Sequence, residues 1–329
     1  MKSKLLVIVG PTASGKSELA TTLAKTFNGE IVSADARQIY RGLDVGTAKV
    51  RGRWTTQGKK KIFVSKGIPH YCIDCVSPRR TWTAADFRRC AERAIADIAG
   101  RGKLPILTGG TGFWIDVVVQ GHELPQVPPD RKLRRALERR STSELYALLK
   151  RLDPRRAHTA DPKNPRRILR AIEIARAIGA VPRLTKYQQY RALWLGIAVP
   201  PRALERKIAL RSRTMIRRGL VEETKKLLAA KITKRRIREL GFEYETALRY
   251  VEGRATRAEF LSENIRRTRR YALRQIRQFR KNRCICWIRG ASEAERTVRA
   301  FIRARPRSTR MAQEKARPRR ASAGLRTTQ

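Results

Sequence analysis

Lys16 and Ser17 close the run Gly10, Pro11, Thr12, Ala13, Ser14, Gly15, Lys16, Ser17, a set of residue types and spacings suited to holding a polyphosphate. Glycines let the backbone turn so that several N–H groups and a positive helix end aim at one point. Lys16 would neutralise the terminal phosphates, and the Ser17 hydroxyl would ligate a magnesium ion bridging phosphate oxygens. Two further groups could act on what the loop holds. Asp35, at the end of Glu30-Ile31-Val32-Ser33-Ala34, could take a proton from an acceptor or ligate the metal through water, or simply serve its own turn. Thr111, in Thr108-Gly109-Gly110-Thr111-Gly112, carries a hydroxyl able to donate to a leaving-group oxygen, unless these glycines mark only a tight turn. By itself the set points to chemistry on a phosphate compound and leaves that compound open.

These groups can meet only if strand ends bring them to one edge. Apolar strands are expected at 4–9, 30–34, 62–64, 71–76 and 104–108, with helical spacing between them, the pattern of an α/β doubly wound parallel sheet of P-loop NTPase-like type. After the first strand, Leu19, Ala20, Leu23, Ala24 and Phe27 recur at helical spacing and Asn28-Gly29 stops the run. From Gly121 the character changes. Pro125, Pro128 and Pro129 read as a linker, and charged helices broken near Pro154, Pro162, Pro165 and Gly179 to Pro182 follow, so 121–189 is expected to be a helical insertion. Leu193 to Val199 returns to the sheet, giving a core of 1–120 and 190–290 with C-terminal helices. One amphipathic run is expected through Ile208, Met215, Ile216, Leu220, Leu227 and Leu228. Another is expected with Leu261, Ile265, Ala272, Ile276 and Phe279 on its inner face. Residues 303–329, rich in Arg, Pro, Ser and Ala, read as a basic disordered tail.

The balance of charge names a class of partner. The 329 residues carry 76 Lys and Arg against 28 Asp and Glu, a formal net charge of +48, with 41% hydrophobic residues. A charge this large repels itself unless a polyanion binds, and counterion release would make nucleic acid a strongly salt-dependent partner. Much of it lies on the outer face of the last long helix, from Arg266, Arg267, Arg269 and Arg270 to Arg274, Arg277, Arg280, Lys281 and Arg283. No run of eighteen apolar residues is present and the N-terminus enters a strand at once, so a cytoplasmic protein with no membrane partner is expected. Cys72, Cys75, Cys90, Cys284 and Cys286 do not make a four-ligand zinc frame. Cys72 and Cys75 read as small buried side chains in the expected strand 71–76.

The ordered series GPTASGKS at 10–17, SADARQIY at 33–40, GTAK at 46–49, IPHY at 68–71, TAADF at 83–87 and GGTGFW at 109–114 resembles the bacterial tRNA dimethylallyltransferases. It continues through Asn164 to Glu173, Ile237 to Glu243 and Thr268 to Gln275. The resemblance implies transfer of a dimethylallyl group from its diphosphate to N6 of the adenosine beside the anticodon, position 37, in tRNAs that read codons beginning with U. It further implies that Arg211 binds diphosphate with the loop, that Asp35 accepts from the adenine amine and that Thr111 contacts the bridging oxygen. The tRNA anticodon stem-loop would meet Asp35, Ala36, Arg37, Gln38, Thr111, Arg134, Arg166, Arg167, Ile168, Leu169, Arg170, Arg238, Gly241 and Phe242. The base would be drawn out of its stack, and the protein would act as a monomer with Mg2+. Ala36 departs from the family's usual serine. A small-molecule P-loop kinase using ATP, an adenylate isopentenyltransferase and an RNA-binding protein with an inactive phosphate site are the alternatives.

Overall fold

Alternate residues of Lys4–Val9 face opposite sides of a sheet, and both sides are apolar: Leu5, Val7 and Val9 enter one core layer, Leu6 and Ile8 the other. A strand with two apolar faces can be stable only between two layers of helices. The computed structural model describes residues 2–304 except 59, 184 and 186, so the expected tail falls outside the described residues beyond 304.

The strands are β1 (Lys4–Val9), β2 (Gly29–Ser33), β3 (Arg53–Gln57), β4 (Lys60–Ser65), β5 (Ile68–Tyr71), β6 (Leu104–Gly109), β7 (Arg191–Ile197) and β8 (Ile285–Ile288). The helices begin with α1 (Lys16–Thr26), α2 (Ala84–Gly100), α3 (Gly112–Val119), α4 (Arg131–Leu137), α5 (Thr142–Leu152), α6 (Pro154–Thr159) and α7 (Pro165–Ile178). They continue with α8 (Pro201–Arg217), α9 (Leu220–Ala229), α10 (Lys234–Leu240), α11 (Phe242–Val251), α12 (Arg257–Arg280) and α13 (Ala291–Arg303). One eight-stranded sheet has the order β3-β4-β5-β2-β6-β1-β7-β8. From β5 to β8 its pairings are parallel, whereas β3, β4 and β5 pair antiparallel. The α/β class is as expected, but the sheet is mixed at one edge. A hairpin-like return through β3 and β4 needs no crossover helix, which is why helical spacing is absent between 50 and 70.

Helices cover both faces. On one, α1 buries Leu19, Ala20, Leu23 and Ala24 against Ile31 and Ile106, and α13 adds Ala294 and Val298. On the other, α2 starts at a Thr83/Asp86 capping box and buries Phe87, Ala91, Ile95 and Ile98, with Phe87 stacked on Trp114 at 4.4 Å. Residues 127–181 gather a separate cluster around Leu145, Leu149, Ile168 and Ile172. There the breaks expected at prolines are helix starts: Asp153 and Asn164 cap α6 and α7, and Pro154 and Pro165 take the first helical position.

Three details correct the sequence reading. Residues 72–76 are not a strand: Cys72 and Asp74 have positive φ, and the segment turns back to bridge Val76 to Tyr40. The run from Ile208 to Leu228 is two helices, because Gly219 at φ 95° ends α8 and opens α9. The inner face of α12 is polar in part, with buried Asn264, Thr268 and Gln275 beside Phe260, Ala272 and Phe279, while Leu261, Ile265 and Ile276 are only half-buried.

The loop 44–46 hangs on one carboxylate. Glu223 Oε2 accepts from the Asp44 and Val45 N–H groups at 2.8 Å each, and its Oε1 accepts from the Gly46 N–H at 2.9 Å and the Tyr244 hydroxyl at 2.7 Å. Removing it strands several donors at once. Glu223→Ala is expected to cost about 3 kcal/mol in urea unfolding, and a loss below about 1 kcal/mol would show that the loop is held by other contacts.

Candidate active site

Strand register decides what meets. Val9 pairs with Gly109 and Ser33 with Thr108, so the chain leaves β1, β2 and β6 at adjacent points of one edge, where the parallel strands end. Past those points lie the loop 10–17, Asp35 and Thr111.

The loop is built to expose its amides. Gly15, at φ 93°, is the N-cap of α1, and Ala13 is also left-handed at φ 62°. The Ser14 N–H donates to the Pro11 carbonyl at 3.2 Å, folding the turn inward. A Cβ on Gly10 would lie 2.7 Å from Ser14 Oγ and force that hydroxyl to turn away, and the buried hydroxyl has no partner among the described residues. Among the described residues Lys16 Nζ reaches only the Pro11 carbonyl, at 3.4 Å. Burial pulls Lys16 down to about 8; Asp35 opposes the shift and Arg211 adds to it. Arg211 is itself lowered by burial, against the pull of Glu243 and Asp35, and its guanidinium donates to the Thr47 carbonyl at 3.3 Å.

The other two turns are tied together. Ala34 N–H donates to the Thr108 carbonyl at 2.7 Å, Thr111 N–H to the Ala34 carbonyl at 3.2 Å, and Ala36 N–H to Thr111 Oγ1 at 3.1 Å. Thr111 Oγ1 therefore accepts from the backbone and keeps its own proton to donate elsewhere. A Cβ on Gly109 would overlap the Ala34 carbonyl, so close approach of the two turns requires glycine. Asp35 Oδ1 accepts from the Arg37 N–H at 2.9 Å and the Gln38 N–H at 3.3 Å, which makes Asp35 a turn aspartate. Its Oδ2 has no partner among the described residues and is free to accept. A cavity of about 20 Å³ runs beneath, lined by Lys16, Ser17, Asp35, Gln38 and Thr108.

The wider set divides. Arg37 pairs with Glu243 at 2.7 Å and lies over the Phe242 ring at 5.5 Å, while a Cβ on Gly241 would overlap the Arg37 guanidinium. Gln38 reaches the Thr47 carbonyl at 3.3 Å. Arg166, Arg167 and Arg238 are exposed, with no carboxylate partner among the described residues. Arg134 and Arg170 both bind the buried Glu173, at 2.6 and 3.1 Å, so part of their charge is already answered. Ile168 must be corrected: it is fully buried in the 127–181 cluster, and half-buried Leu169 packs against that cluster, so the Ile168 side chain is closed to RNA. On α12, Arg266 and Arg267 pair with Glu263 and Arg269 with Glu205, which leaves Arg270, Arg274, Arg277 and Arg280 as the open cations of that face.

Gln275, which the sequence offers only as the last residue of a motif, joins the site's parts. Its Oε1 accepts from the Thr12 N–H and its Nε2 donates to the Gly110 carbonyl, both at 2.8 Å. The signal available in the sequence was a glutamine in step with Ala272 and Phe279 on the inner side of a basic helix. Glu243, the partner of Arg37, was legible only as one letter of a motif.

A parallel sheet edge that gathers a glycine loop, two desolvated cations and a carboxylate belongs to an α/β protein of P-loop-like fold. The chain belongs to the IPP transferase family, whose family model matches residues 38–282, and an isopentenyl transferase model matches residues 3–70. It is 36% identical over 294 residues to the tRNA dimethylallyltransferase of Anoxybacillus flavithermus, spanning 88% of this chain and 91% of that one. With the tRNA dimethylallyltransferase of Roseiflexus castenholzii it shares 40% identity over 284 residues, 84% of this chain and 90% of that one. Its fold is similar to the crystal structure of the full-length tRNA isopentenylpyrophosphate transferase from Bacillus halodurans, with a TM-score of 0.65 and 31% identity across 92% of this chain and 96% of that one.

Lys16 has a measurable signature. It titrates near 10.5 in an unfolded chain and near 8 here, so the folded protein binds fewer protons between those values and its stability rises with pH across that window. Below pH 8 the full cost of holding the charge is present. Lys16→Met should therefore stabilise the protein at pH 7 by up to about 3 kcal/mol, with the gain fading as pH approaches 10.5. Urea unfolding at pH 7, 9 and 10 checks this, and a variant no more stable than the parent at pH 7 would contradict a desolvated Lys16.

Proposed function

We propose that this protein transfers the dimethylallyl group of dimethylallyl diphosphate to N6 of the adenosine beside the anticodon, position 37, of tRNAs reading codons that begin with U. The observation that carries this is the meeting, at one sheet edge, of a polyanion cradle with a carboxylate oxygen free to accept and a hydroxyl free to donate. Family membership supplies the substrate class.

In this reading the amides of Ala13, Gly15, Lys16 and Ser17, which donate to nothing else among the described residues, and the cations Lys16 and Arg211 bind the diphosphate. Their positive charge, desolvated before substrate arrives, is worth most as the allylic carbon–oxygen bond lengthens and negative charge collects on the departing oxygens. Thr111 Oγ1 donates its hydrogen to the bridging oxygen. Asp35 Oδ2 accepts from the adenine amine and orients its lone pair toward the allylic carbon, then takes the proton that the new C–N bond makes acidic. Magnesium fits the donor set: the Ser17 hydroxyl stands at the start of α1 beside Asp35, and Thr108 Oγ1 and Ser14 Oγ are buried without partners. Held by Ser17, with Asp35 reached through water, it would neutralise diphosphate charge.

The tRNA is bound through its phosphates by the cations the fold leaves open, Arg166, Arg167 and Arg238 with Arg270, Arg274 and Arg277 of α12. Among the described residues no helix is long and apolar enough to cross a membrane.

Incubation of the full chain with dimethylallyl diphosphate, magnesium and unmodified tRNA should yield N6-isopentenyladenosine by nucleoside mass spectrometry. Asp35→Ala should lower kcat about 10²- to 10³-fold, with a much smaller change in diphosphate affinity. Absence of product from the parent protein at low salt, or full activity in the variant, would refute the assignment.

A further inference from the structure

Away from the proposed active site, Cys72, Cys75 and Cys90 form a cluster. Cys72 directly follows β5 and has φ 54°, a left-handed geometry unusual for a residue with a side chain, at the turn that faces α2. There its Sγ stands 2.7 Å from Cys90 Sγ on the second turn of α2, and Cys75 lies near enough to act on the Cys90 charge. Two further thiols beside one sulfur is more than packing requires. The sulfurs of Cys72 and Cys90 border a cavity of about 600 Å³ between β4 and α2, lined also by Lys60, Trp82, Arg89 and Arg93. That volume admits small oxidants to a sulfur that is itself only half-buried.

We propose that Cys90 is an oxidation site, the nucleophilic member of a peroxide-responsive pair that closes a disulfide with Cys72. The chemistry balances with hydrogen peroxide as the oxidant. Cys90 thiolate attacks one peroxide oxygen, the O–O bond breaks, and the departing hydroxide takes a proton to leave as water, giving the sulfenic acid. Cys72 sulfur then attacks that sulfur. The S–S bond forms, the S–O bond breaks, and a second water leaves carrying the Cys72 proton. Two thiols have lost two electrons and two protons to one peroxide.

The cluster favours this division of labour. The thiols of Cys72 and then Cys75 donate toward Cys90 and hold it well below the ordinary thiol range, against its burial, with Arg93 adding its charge; Cys72 and Cys75 are pushed up in turn. Cys284 and Cys286 are exposed but stand in no such cluster. The site also touches the rest of the structure. Asp74 N–H donates to the Gln38 carbonyl and the N–H groups of Cys75 and Val76 to the Ile39 carbonyl, at 2.9 to 3.0 Å. A bond from Cys72 to α2 would thus pin the segment that backs the Asp35 turn.

Full-length reduced protein is treated with one equivalent of hydrogen peroxide, quenched with an alkylating reagent and mapped by mass spectrometry. The expected result is a Cys72–Cys90 cross-link formed about tenfold faster than any modification of Cys284 or Cys286, reversed by dithiothreitol. In Cys72→Ser/Cys75→Ser, where no resolving thiol remains, dimedone should instead trap a sulfenic acid on Cys90. Modification of Cys284 or Cys286 ahead of Cys90 would overturn the proposal. So would a Cys75–Cys90 cross-link in place of the Cys72 one, or a double variant that dimedone leaves unlabelled.

Discussion

Two positive charges, Lys16 and Arg211, are withdrawn from water near each other at the end of a parallel sheet, and the protein offers too little negative charge to answer both. Burial lowers each of them, Asp35 opposes the loss in both cases, and each remains short of a partner of its own. Among the described residues Arg211 makes one hydrogen bond to a carbonyl and Lys16 one long one. A fold tolerates such an arrangement when an anion completes it. Much else at the edge serves to hold these charges in place without neutralising them: glycines where side chains would obstruct, amides turned inward and buried hydroxyls without partners.

The scaffold meets that demand through register and through one amide. The pairing of Val9 with Gly109 and Ser33 with Thr108 fixes where three loops begin, to within a residue. Gln275 then spans two of those loops from a helix more than 160 residues further along the chain than Gly110. A side-chain amide suits this bridge because it donates at one end and accepts at the other, matching a backbone N–H on the phosphate loop and a backbone carbonyl beside Thr111. The basic helix α12 therefore has two jobs set by its two faces. Its inner side positions the cradle, and its outer side carries arginines open to a polyanion. In the proposed reading, binding of a phosphate backbone outside and positioning of the diphosphate cradle inside are linked through this one helix.

What could be read from the sequence follows from how local each cause is. The phosphate loop, the Asp35 turn and the Thr111 turn each sit directly after an apolar strand, so their shared edge followed from alternation and parallel topology alone. At the antiparallel edge β4 was expected through its apolar centre at 62–64, but β3 was not, because Arg53–Gln57 lacks the apolar run by which the other strands were recognised. The turn at 72–76 misled for the opposite reason. Its residues Cys72, Ile73 and Val76 are apolar and buried, but they are buried by a turn whose positive φ values the side chains do not announce. Ile168 shows the limit of carrying a motif over as a block: in a run of arginines it is the residue that faces the core. Gln275 and Glu243 depend on partners far away in sequence, and no local pattern encodes those.

The central claim is that the phosphates held by the loop depart and are not transferred. It is tested most directly by placing an oxygen-18 label in the oxygen that bridges C1 and the nearer phosphorus of dimethylallyl diphosphate, then following the label through turnover on unmodified tRNA. Cleavage of the carbon–oxygen bond, which the arrangement of Lys16, Arg211 and Thr111 predicts, puts all of the label in the released diphosphate and none in the modified nucleoside. Label retained on the dimethylallyl carbon, or phosphorus transferred to the acceptor, would contradict it.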